Sequence, residues 1–309
     1  MKTHAGSTGR SNVLTLKQAL QAAEAGKYAI GSYSPRYTSM IAAVLAAGQE
    51  ADSPLIVQIS QKELIRYGIT PKAFAEEFYR QLDEQQITVP VVLHLDHTKD
   101  MAVIAEAIEA GFTSVMIDAS EKPFAENVRE SKEAAEYAHA RGVSVEAELG
   151  MIGTTDFVET ETDEELYTDP DEAAEFVRLT GVDALAVSCG TAHGVYNVKQ
   201  PKIDYARLTA IRALNPVHLV LHGGSGVPAD MMQQAFALPG GGVSKVNIAT
   251  DLELSLLAAL GREERMTDAE CRTLKPEQLA AGREAVKRTV MNKMKDFVLS
   301  AGQAGQFFQ

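Results

Sequence analysis

Three features are scarce in this sequence, and each scarcity excludes a class of protein. Only two cysteines, Cys189 and Cys271, occur in 309 residues, so no disulfide framework is predicted. No apolar run approaches the roughly 20 residues that a membrane-spanning helix needs. Basic residues are outnumbered, and the formal net charge of -13 argues against a nucleic-acid or anionic-membrane partner, because either favours a basic face. An anionic small substrate is still compatible, since a local site can be positive on an acidic protein.

The first ten residues also lack something, namely the apolar core of a signal peptide. Residues 1–10 are polar and contain glycine and serine, so we expect a flexible tail and a cytoplasmic protein. No low-complexity linker interrupts residues 11–309, which we predict to form one domain that ends in helices. The 45% hydrophobic content is enough for one large core at this length.

What the sequence does contain is an alternation of short apolar runs and helical segments. The runs predicted as strands are Tyr28–Tyr33, Leu55–Ile59, Val91–Leu95, Ser114–Asp118, Val143–Glu148, Ala184–Val187, Leu219–His222 and Val243–Ile248. Such alternation is typical of parallel strands joined by right-handed crossovers, and eight units predict a closed (β/α)₈ TIM barrel. A doubly wound open sheet is the alternative, but no Gly-x-Gly-x-x-Gly follows the first strand.

Polar residues fall at the carboxyl ends of the later strands, where α/β barrels carry their chemistry. The third run stops on Asp96 and His97, and the residues at or just after the following strands are Asp118, Glu148, His193, His222 and Asn247. Three histidines from three strand ends can meet at one mouth. Three imidazoles with an open fourth position form a catalytic zinc site, with ligand distances of ~2.0 to 2.1 Å. The alternative is that each histidine is satisfied by backbone; His4, His94, His139 and His218 are interpreted in that way, as structural or incidental.

Two glycine-rich or helix-preceding segments indicate an anion site beside these residues. Gly223-Gly224-Ser225-Gly226 follows the seventh strand, and residues 247–250 precede a helix. Backbone N–H groups at such positions bind phosphate in many barrels. Plain turns are the alternative interpretation of glycine-rich segments.

Six motifs, in order, resemble the class II, metal-dependent ketose-bisphosphate aldolases, the family of the fructose- and tagatose-1,6-bisphosphate enzymes. The resemblance runs from about Leu14 to Ala301. The motifs are Leu-His-Leu-Asp96-His97, Ser114-Val-Met-Ile-Asp118, Ser144-Val-Glu-Ala-Glu148-Leu-Gly, Gly190-Thr-Ala-His193-Gly194, Leu221-His222-Gly-Gly-Ser-Gly and Lys245-Val-Asn247-Ile-Ala-Thr250-Asp251.

The resemblance implies a role for each matching residue. His97, His193 and His222 correspond to the ligands of a catalytic Zn²⁺, and Asp96 to the acid/base that handles the C4 hydroxyl proton. Asp118 and Glu148 correspond to a secondary metal position, so a second divalent or monovalent cation is possible. The dihydroxyacetone-phosphate site corresponds to Gly194, Gly223, Gly224, Ser225, Asn247, Ile248, Ala249 and Thr250. The expected reaction is reversible cleavage of a ketose 1,6-bisphosphate, or a related ketose 1-phosphate, through a zinc-stabilised enediolate, in a homodimer or homotetramer.

The sequence departs from the family pattern where the aldehyde half of the substrate would lie. Tyr33-Ser34-Pro35-Arg36 replaces the usual Phe-Asn, and Glu121 replaces a histidine. The active-site loop, residues 150–168, contains Gly153-Thr-Thr-Asp156-Phe157, in which Asp156 stands in for the loop glutamate as the acid that protonates C3. Ser60 and Arg283 match positions for the distal phosphate, the arginine often coming from a neighbouring subunit. Arg36 is a further cation there. The alternative is that Arg36 and Arg283 are solvated helix-end charges, which is the commoner fate of a lone arginine.

Two other functions compete with this one. A Schiff-base aldolase that uses Lys245 is conceivable, because this lysine lies in a barrel strand. A phosphosugar-binding barrel that holds a metal but turns over weakly is suggested by the altered loop. Within the aldolase interpretation, a non-standard aldehyde half with another distal anion is a further alternative.

Overall fold

The structure is a computed structural model that describes residues 10–151, 167–192 and 201–308. Eight parallel strands close into one barrel in sequence order, with the eighth strand paired to the first. The closed (β/α)₈ barrel predicted from the sequence is therefore confirmed. The strands are β1 Ile30–Tyr33, β2 Leu55–Ser60, β3 Val91–Thr98, β4 Ser114–Ile117, β5 Ser144–Leu149, β6 Ala184–Val187, β7 His218–Leu221 and β8 Val243–Ile248.

Twelve α-helices lie within the described ranges. They are α1 Leu16–Gly26, α2 Ile41–Glu50, α3 Gln61–Tyr67, α4 Pro71–Glu84, α5 Met101–Ala110, α6 Phe124–His139, α7 Pro170–Thr180, α8 Tyr205–Leu214, α9 Ala229–Phe236, α10 Thr250–Leu260, α11 Asp268–Arg272 and α12 Pro276–Asn292. Short 3₁₀ segments occupy Thr38–Met40 and Ala304–Phe308, and a π-helical turn, Lys293–Phe297, extends α12. No helix of the described ranges is long and apolar enough to cross a membrane.

Local sequence signals account for where these helices begin and end. Thr15 caps α1 through a reciprocal capping box with Gln18, and Asp169 caps α7, whose first residue is Pro170. Gly111 and Gly181 follow the last residues of α5 and α7 in the left-handed conformation, which glycine adopts without steric cost.

The helix α1 closes the amino-terminal end of the barrel. Its Leu16 and Leu20 are fully buried in a cluster with inward residues of the strands, including Ile30, Ile56 and Val92. The lower interior of the barrel is therefore apolar and sealed, so only the carboxyl ends of the strands lead to solvent.

Most differences from the predicted elements occur at element ends. The first strand begins at Ile30 rather than Tyr28, and β3 continues to Thr98 rather than ending at Leu95. The segment before α1 forms a bridge from Val13 to Val91, and α1 begins at Leu16. The short helix α3 was not predicted, since it follows β2 without any intervening loop: Ser60 ends the strand and also caps the helix. The last helix ends as an α-helix at Asn292, where the π turn begins.

Candidate active site

The interior of the barrel changes from apolar to polar along each strand. Alternate residues of a strand face the same side, so inward residues lie two apart in sequence. Below the mouth, the apolar layer that contains Ile56 and Val92 is followed by a layer that contains Gln58 and His94. Next towards the mouth come Ser60 and Asp96, which are register partners on β2 and β3. The polar groups therefore form stacked layers under the open end.

A bulge in β3 directs two successive side chains into this region. Leu95 pairs with Val115 and Thr98 pairs with Ile117, so β3 spans the interval with one more residue than β4. His97 lies in that interval with a φ of 28°, a left-handed value that is strained for a non-glycine residue. Such a bulge lets Asp96 and His97 both face the mouth, although adjacent strand residues ordinarily face opposite sides.

Five side chains from four strand ends converge beside this bulge. The imidazole rings of His97 and His222 lie 4.4 Å apart between centroids. Nδ1 of His97 lies 2.8 Å from Oδ2 of Asp118, and Nδ1 of His222 lies 3.4 Å from Oε2 of Glu148. Two sets, Asp96-His97-His222 and His97-Asp118-Glu148, each offer ligand atoms within 4.8 Å of one another. This spacing is compatible with a shared ion.

The chemistry of this cluster fits a divalent cation. Oε2 of Glu148 is buried and accepts no hydrogen bond from any described residue, and its nearest ring nitrogen is Nδ1 of His222 at 3.4 Å. A cation between these atoms would give this oxygen a partner. Nδ1 of His97 and Nε2 of His222 are oriented by carboxylates, so Nε2 of His97 and Nδ1 of His222 are the ring atoms that would ligate an ion. Carboxylate-oriented imidazoles are the usual arrangement around zinc.

Asp96 is held by two amides. Nδ2 of Asn247 donates to its Oδ1 at 3.0 Å, and Nε2 of Gln58 donates to its Oδ2 at 3.2 Å. The Ser32 hydroxyl donates to Oε1 of Gln58, which fixes the amide with its nitrogen towards Asp96. Both carboxylate oxygens of Asp96 are thereby oriented on the rigid strands of the barrel.

A second set of buried charged groups lies one layer below. Nζ of Lys245 is 2.9 Å from Oε2 of Glu146 and donates to Oδ1 of Asn247 at 2.7 Å. Oε1 of Glu146 lies 2.9 Å from Nε2 of His222. His94, fully buried, lies with Nδ1 2.7 Å from the Ser114 hydroxyl and Nε2 3.6 Å from Glu146. These residues link the imidazole of His222 to the amide that holds Asp96.

Burial and charge oppose one another in the pKa values of these groups. Burial acts to raise the pKa of Asp96, but His97, His94, Lys245 and His222 outweigh it and hold that pKa well below its usual range. Burial acts to lower the pKa of His97, but Asp96, Asp118 and Glu148 raise it to about 10. The pKa of Glu146 falls to about 2, because Lys245, His222 and His94 outweigh the effect of burial. Asp96 and Glu146 are therefore ionised at neutral pH.

The turn after β7 packs tightly against the segments that follow β6 and β8. Gly223 has a φ of 68°, and a Cβ there would lie 2.2 Å from the carbonyl oxygen of Ala192. The N–H of Gly224 donates to the carbonyl of Asn247 at 3.1 Å, and the Ser225 hydroxyl accepts from the N–H of Asp251 at 3.4 Å. The helix α10 begins here at Thr250, without a side-chain cap at Ala249. The start of this 11-residue helix lies beside the glycine-rich turn after β7, and an arrangement of this kind is suited to an anion.

Comparison with known proteins identifies the family of this chain. The family model "Fructose-bisphosphate aldolase class-II" matches residues 14–303. A fructose-bisphosphate aldolase of Geobacillus stearothermophilus is 40% identical over 296 residues, covering 96% of this chain and all of that protein. The crystal structure of the YdjI aldolase from Escherichia coli K12 superposes with a TM-score of 0.77 at 31% identity, covering 94% of this chain and 99% of that one. A putative fructose-1,6-bisphosphate aldolase from Coccidioides immitis gives a TM-score of 0.79 at 27% identity, over 93% and 97% of the two chains.

The chain belongs to the class-II fructose-bisphosphate aldolase family. It is accordingly a lyase, a class II aldolase of carbohydrate metabolism, and the family resemblance stated from the sequence motifs is confirmed. The family implies a divalent metal, typically zinc, and a phosphorylated ketose as substrate. Members of this family therefore need a metal site and an anion site at one mouth, which is the arrangement described above.

The structure brings most of the predicted site residues of the aldolase together. Asp96, His97, Asp118, Glu148 and His222 meet at the mouth, and Gly223–Ser225 and 247–250 form the adjoining turns. His193, Gly194 and Asp156 lie outside the described residues. Their predicted roles as metal ligand, substrate contact and loop acid stay predictions.

The residues predicted for the far end of the substrate have partners within the chain. Arg283 lies on α12, is partly buried, and donates from Nε to the carbonyl of Ser39 at 2.9 Å. Arg36 is only 8% exposed, with both Glu63 and Glu253 against its guanidinium, so its interpretation as a solvated charge was wrong. Ser60 is bonded to Glu63 within the α3 cap. Glu121 is exposed and accepts from Lys99 at 2.6 Å.

Several residues of the site were missed in the sequence. They are Ser32, Gln58, His94, Glu146 and Lys245, of which His94 was interpreted as structural or incidental and Lys245 was considered only as a nucleophile. Gln58, His94, Glu146 and Lys245 each lie two residues before a predicted site residue, and Ser32 contacts Gln58. The period of two along a strand is the signal that could have found them.

Proposed function

We propose that this chain reversibly cleaves a ketose 1,6-bisphosphate of the fructose or tagatose type, or a related ketose 1-phosphate, to dihydroxyacetone phosphate and an aldehyde. The observation that carries the proposal is the position of Asp96. Its carboxylate is buried, ionised and held by two amides, directly beside the two imidazoles of the metal cluster. A base and a Lewis-acid site within one pocket are what cleavage of a C3–C4 bond next to a ketone requires.

In this proposal Asp96 accepts the proton of the substrate C4 hydroxyl. A group whose pKa lies well below neutrality is ionised before the reaction and can take that proton once the alcohol becomes acidic in the transition state. Gln58 and Asn247 keep the carboxylate oriented, which removes the cost of ordering it during the reaction. In the reverse direction the same residue returns the proton to the new hydroxyl.

His97 and His222, together with the predicted ligand His193, would hold the catalytic zinc. Asp118 and Glu148 would hold a second position, for the same ion or a further cation. The metal, when bound, supplies the positive charge that stabilises the enediolate form of dihydroxyacetone phosphate. Support comes from the buried oxygen of Glu148 that accepts no hydrogen bond from the described residues, and from the carboxylate-oriented rings.

The phosphate of the dihydroxyacetone half would lie against residues 223–225 and the start of α10. The positive φ at Gly223 and the lack of a Cβ let this turn pack closely against the backbone of Ala192. Gly194 is predicted to contribute from the neighbouring turn. Asp156 is retained as the predicted acid that protonates C3.

The Schiff-base alternative is less well supported. Nζ of Lys245 is fully buried and committed to Glu146 and Asn247, which suits an ammonium donor rather than a nucleophilic amine. The weakly active binding barrel has no observation in its favour among the described residues. Cytoplasmic location and a homo-oligomeric state stay predictions from the sequence.

A panel of ketose phosphates tests the proposal. Fructose and tagatose 1,6-bisphosphates and their 1-phosphates are incubated with zinc-loaded protein, and dihydroxyacetone phosphate is measured with and without a chelator. We expect cleavage of at least one compound, its loss with the chelator and its return with added Zn²⁺. Cleavage that the chelator leaves intact would contradict the metal-dependent mechanism, and no cleavage of any compound would contradict the activity.

A further inference from the structure

A carboxylate occupies the polar donors at the ends of β1 and β2. Oε2 of Glu63 accepts from the Ser34 hydroxyl at 2.9 Å, from the Ser60 N–H at 3.0 Å and from the Ser60 hydroxyl at 3.1 Å. Its other oxygen, Oε1, accepts from Nε of Arg36 at 3.1 Å. The Ser34 hydroxyl and the N–H and hydroxyl of Ser60 could each donate to an anionic substrate. In this structure all three donate to the carboxylate of Glu63 instead.

These donors face the reaction site. Gln58 and Ser60 lie two apart on β2, so they face the same side, and Gln58 contacts Asp96. The Ser32 hydroxyl donates to Oε1 of Gln58, and Ser34 lies two residues after Ser32. Ser34, Ser60 and Glu63 therefore lie one layer nearer the mouth than Gln58, next to the proposed base.

Arg36, the arginine beside Glu63, is also paired with carboxylates of the chain. Arg36 has a φ of 61°, which is strained for a non-glycine residue, and its guanidinium lies between Glu63 and Glu253. Glu253 is 3% exposed and also pairs with Arg265 at 2.8 Å. Among the described residues of this corner, the two carboxylates of Glu63 and Glu253 balance the formal charges of Arg36 and Arg265.

We propose that Glu63 excludes a phosphate from the far end of the substrate, so that the preferred substrate is a ketose 1-phosphate with an uncharged, hydroxyl-bearing end. This inference rests on the proposed function, because it needs the far end of the substrate to pass Asp96 towards β1 and β2. A phosphate carries acceptor oxygens and negative charge, and it would face a carboxylate with its donors already engaged. Such juxtaposition of like charges suppresses the binding of the wrong partner.

A hydroxyl group is the chemical complement of this corner. A carboxylate offers about four acceptor positions, and Oε1 of Glu63 accepts from Arg36 alone among the described residues, so it can accept from a substrate O–H. The aldehyde released would then be an uncharged polyhydroxy aldehyde. Discrimination arises from repulsion of the wrong substrate as much as from attraction of the right one.

The test compares substrates that differ only in the far phosphate. kcat/KM is measured for fructose 1-phosphate and fructose 1,6-bisphosphate, and for the same pair in the tagatose configuration, from the release of dihydroxyacetone phosphate by zinc-loaded enzyme. We expect the 1-phosphate of the reactive pair to be cleaved at least as efficiently as the bisphosphate. A clear preference for the bisphosphate overturns the inference and leaves the aldolase activity standing. Failure to cleave all four compounds overturns both.

A conservative variant isolates the charge of Glu63. Glutamine also closes a capping box, so Glu63→Gln keeps the start of α3 while removing the negative charge. We expect the ratio of kcat/KM for bisphosphate over 1-phosphate to rise by about tenfold or more when the repulsion is removed. Glu270→Gln is the matched control, because Glu270 occupies the equivalent position in the exposed capping box of α11. If the bisphosphate over 1-phosphate ratio of Glu63→Gln lies within twofold of the ratio of Glu270→Gln, the inference is overturned. If Glu63→Gln does not fold, the substrate comparison with the wild-type enzyme decides the question alone.

Discussion

Nδ2 of Asn247 lies 3.0 Å from Oδ1 of Asp96, although 151 residues separate them in the chain. The contact joins the end of β8 to the end of β3 across the mouth of the barrel. It connects the turn that would bind the phosphate to the carboxylate that would accept the proton. The geometry of the site is therefore set by closure of the barrel rather than by any local sequence motif.

The first prediction concerns Asp96. Asp96→Asn keeps the shape of the side chain but removes the base, so we expect kcat to fall by about 10²- to 10⁴-fold while bound zinc is unchanged. Zinc content and kcat are measured on the same preparation. Asp100→Asn is the control, because asparagine also caps α5, where Asp100 now accepts from the N–H of Ala102. Unchanged rates in Asp96→Asn would remove this residue from the mechanism.

The second prediction distinguishes the roles of His218, which begins β7, and His222, which follows it. We expect His222→Ala to lose both bound zinc and activity, since its ring lies in the ligand cluster. His218, at the other end of the same strand, is 2.7 Å from Glu24 and far from the mouth, so His218→Ala should keep both. Metal stoichiometry by atomic absorption distinguishes the two. Full zinc occupancy in His222→Ala would refute its assignment as a ligand.

The third prediction concerns the layer beneath the metal cluster. Glu146 orients His222 through Nε2, so Glu146→Gln should weaken zinc affinity by about 10- to 100-fold, as for other residues that support metal ligands. Competition with a chelator of known affinity measures this. Glu136→Gln, on the exposed face of α6, provides the comparison. Equal zinc affinity in the two variants would mean that Glu146 does not act through His222.

The fourth prediction uses the two cysteines. Burial raises the pKa of the Cys189 thiol to about 12, and burial with the charge of Asp268 raises that of Cys271 to about 11. Both thiols are therefore protonated at pH 8, and the thiolate is the reactive form. We expect an aromatic disulfide reagent to label neither in the native protein at pH 8 and both after unfolding in denaturant. Rapid labelling of native protein would show that one of them is accessible.

The sequence was sufficient to predict the barrel and the residues at its mouth. Asp96, His97 and His222 could be found because each ends an apolar run, and runs of parallel strands end at one face. The layer beneath was harder to predict, since Gln58, Glu146 and Lys245 lie within their runs. A barrel interior that becomes polar halfway along its strands has no signature in a hydrophobicity pattern.

Other features depended on contacts that no local pattern encodes. The bulge that turns His97 inward is defined by pairing between β3 and β4. The burial of Arg36 results from Glu253, which lies 217 residues further along the chain. From the sequence alone, an arginine that follows a proline is interpreted as a solvated charge, because its distant partners are not known. The sequence signal for Glu63 was available, because Ser60 and Glu63 form a capping-box pattern at the start of α3.

Anomalous diffraction at the zinc edge from zinc-loaded crystals tests the central claim most directly. We predict one strong peak at the mouth of the barrel, ~2.0 to 2.1 Å from Nε2 of His97 and from Nδ1 of His222. The peak should be absent from crystals of His222→Ala. A difference map with no peak between these two rings, or with zinc bound only elsewhere, would contradict the account.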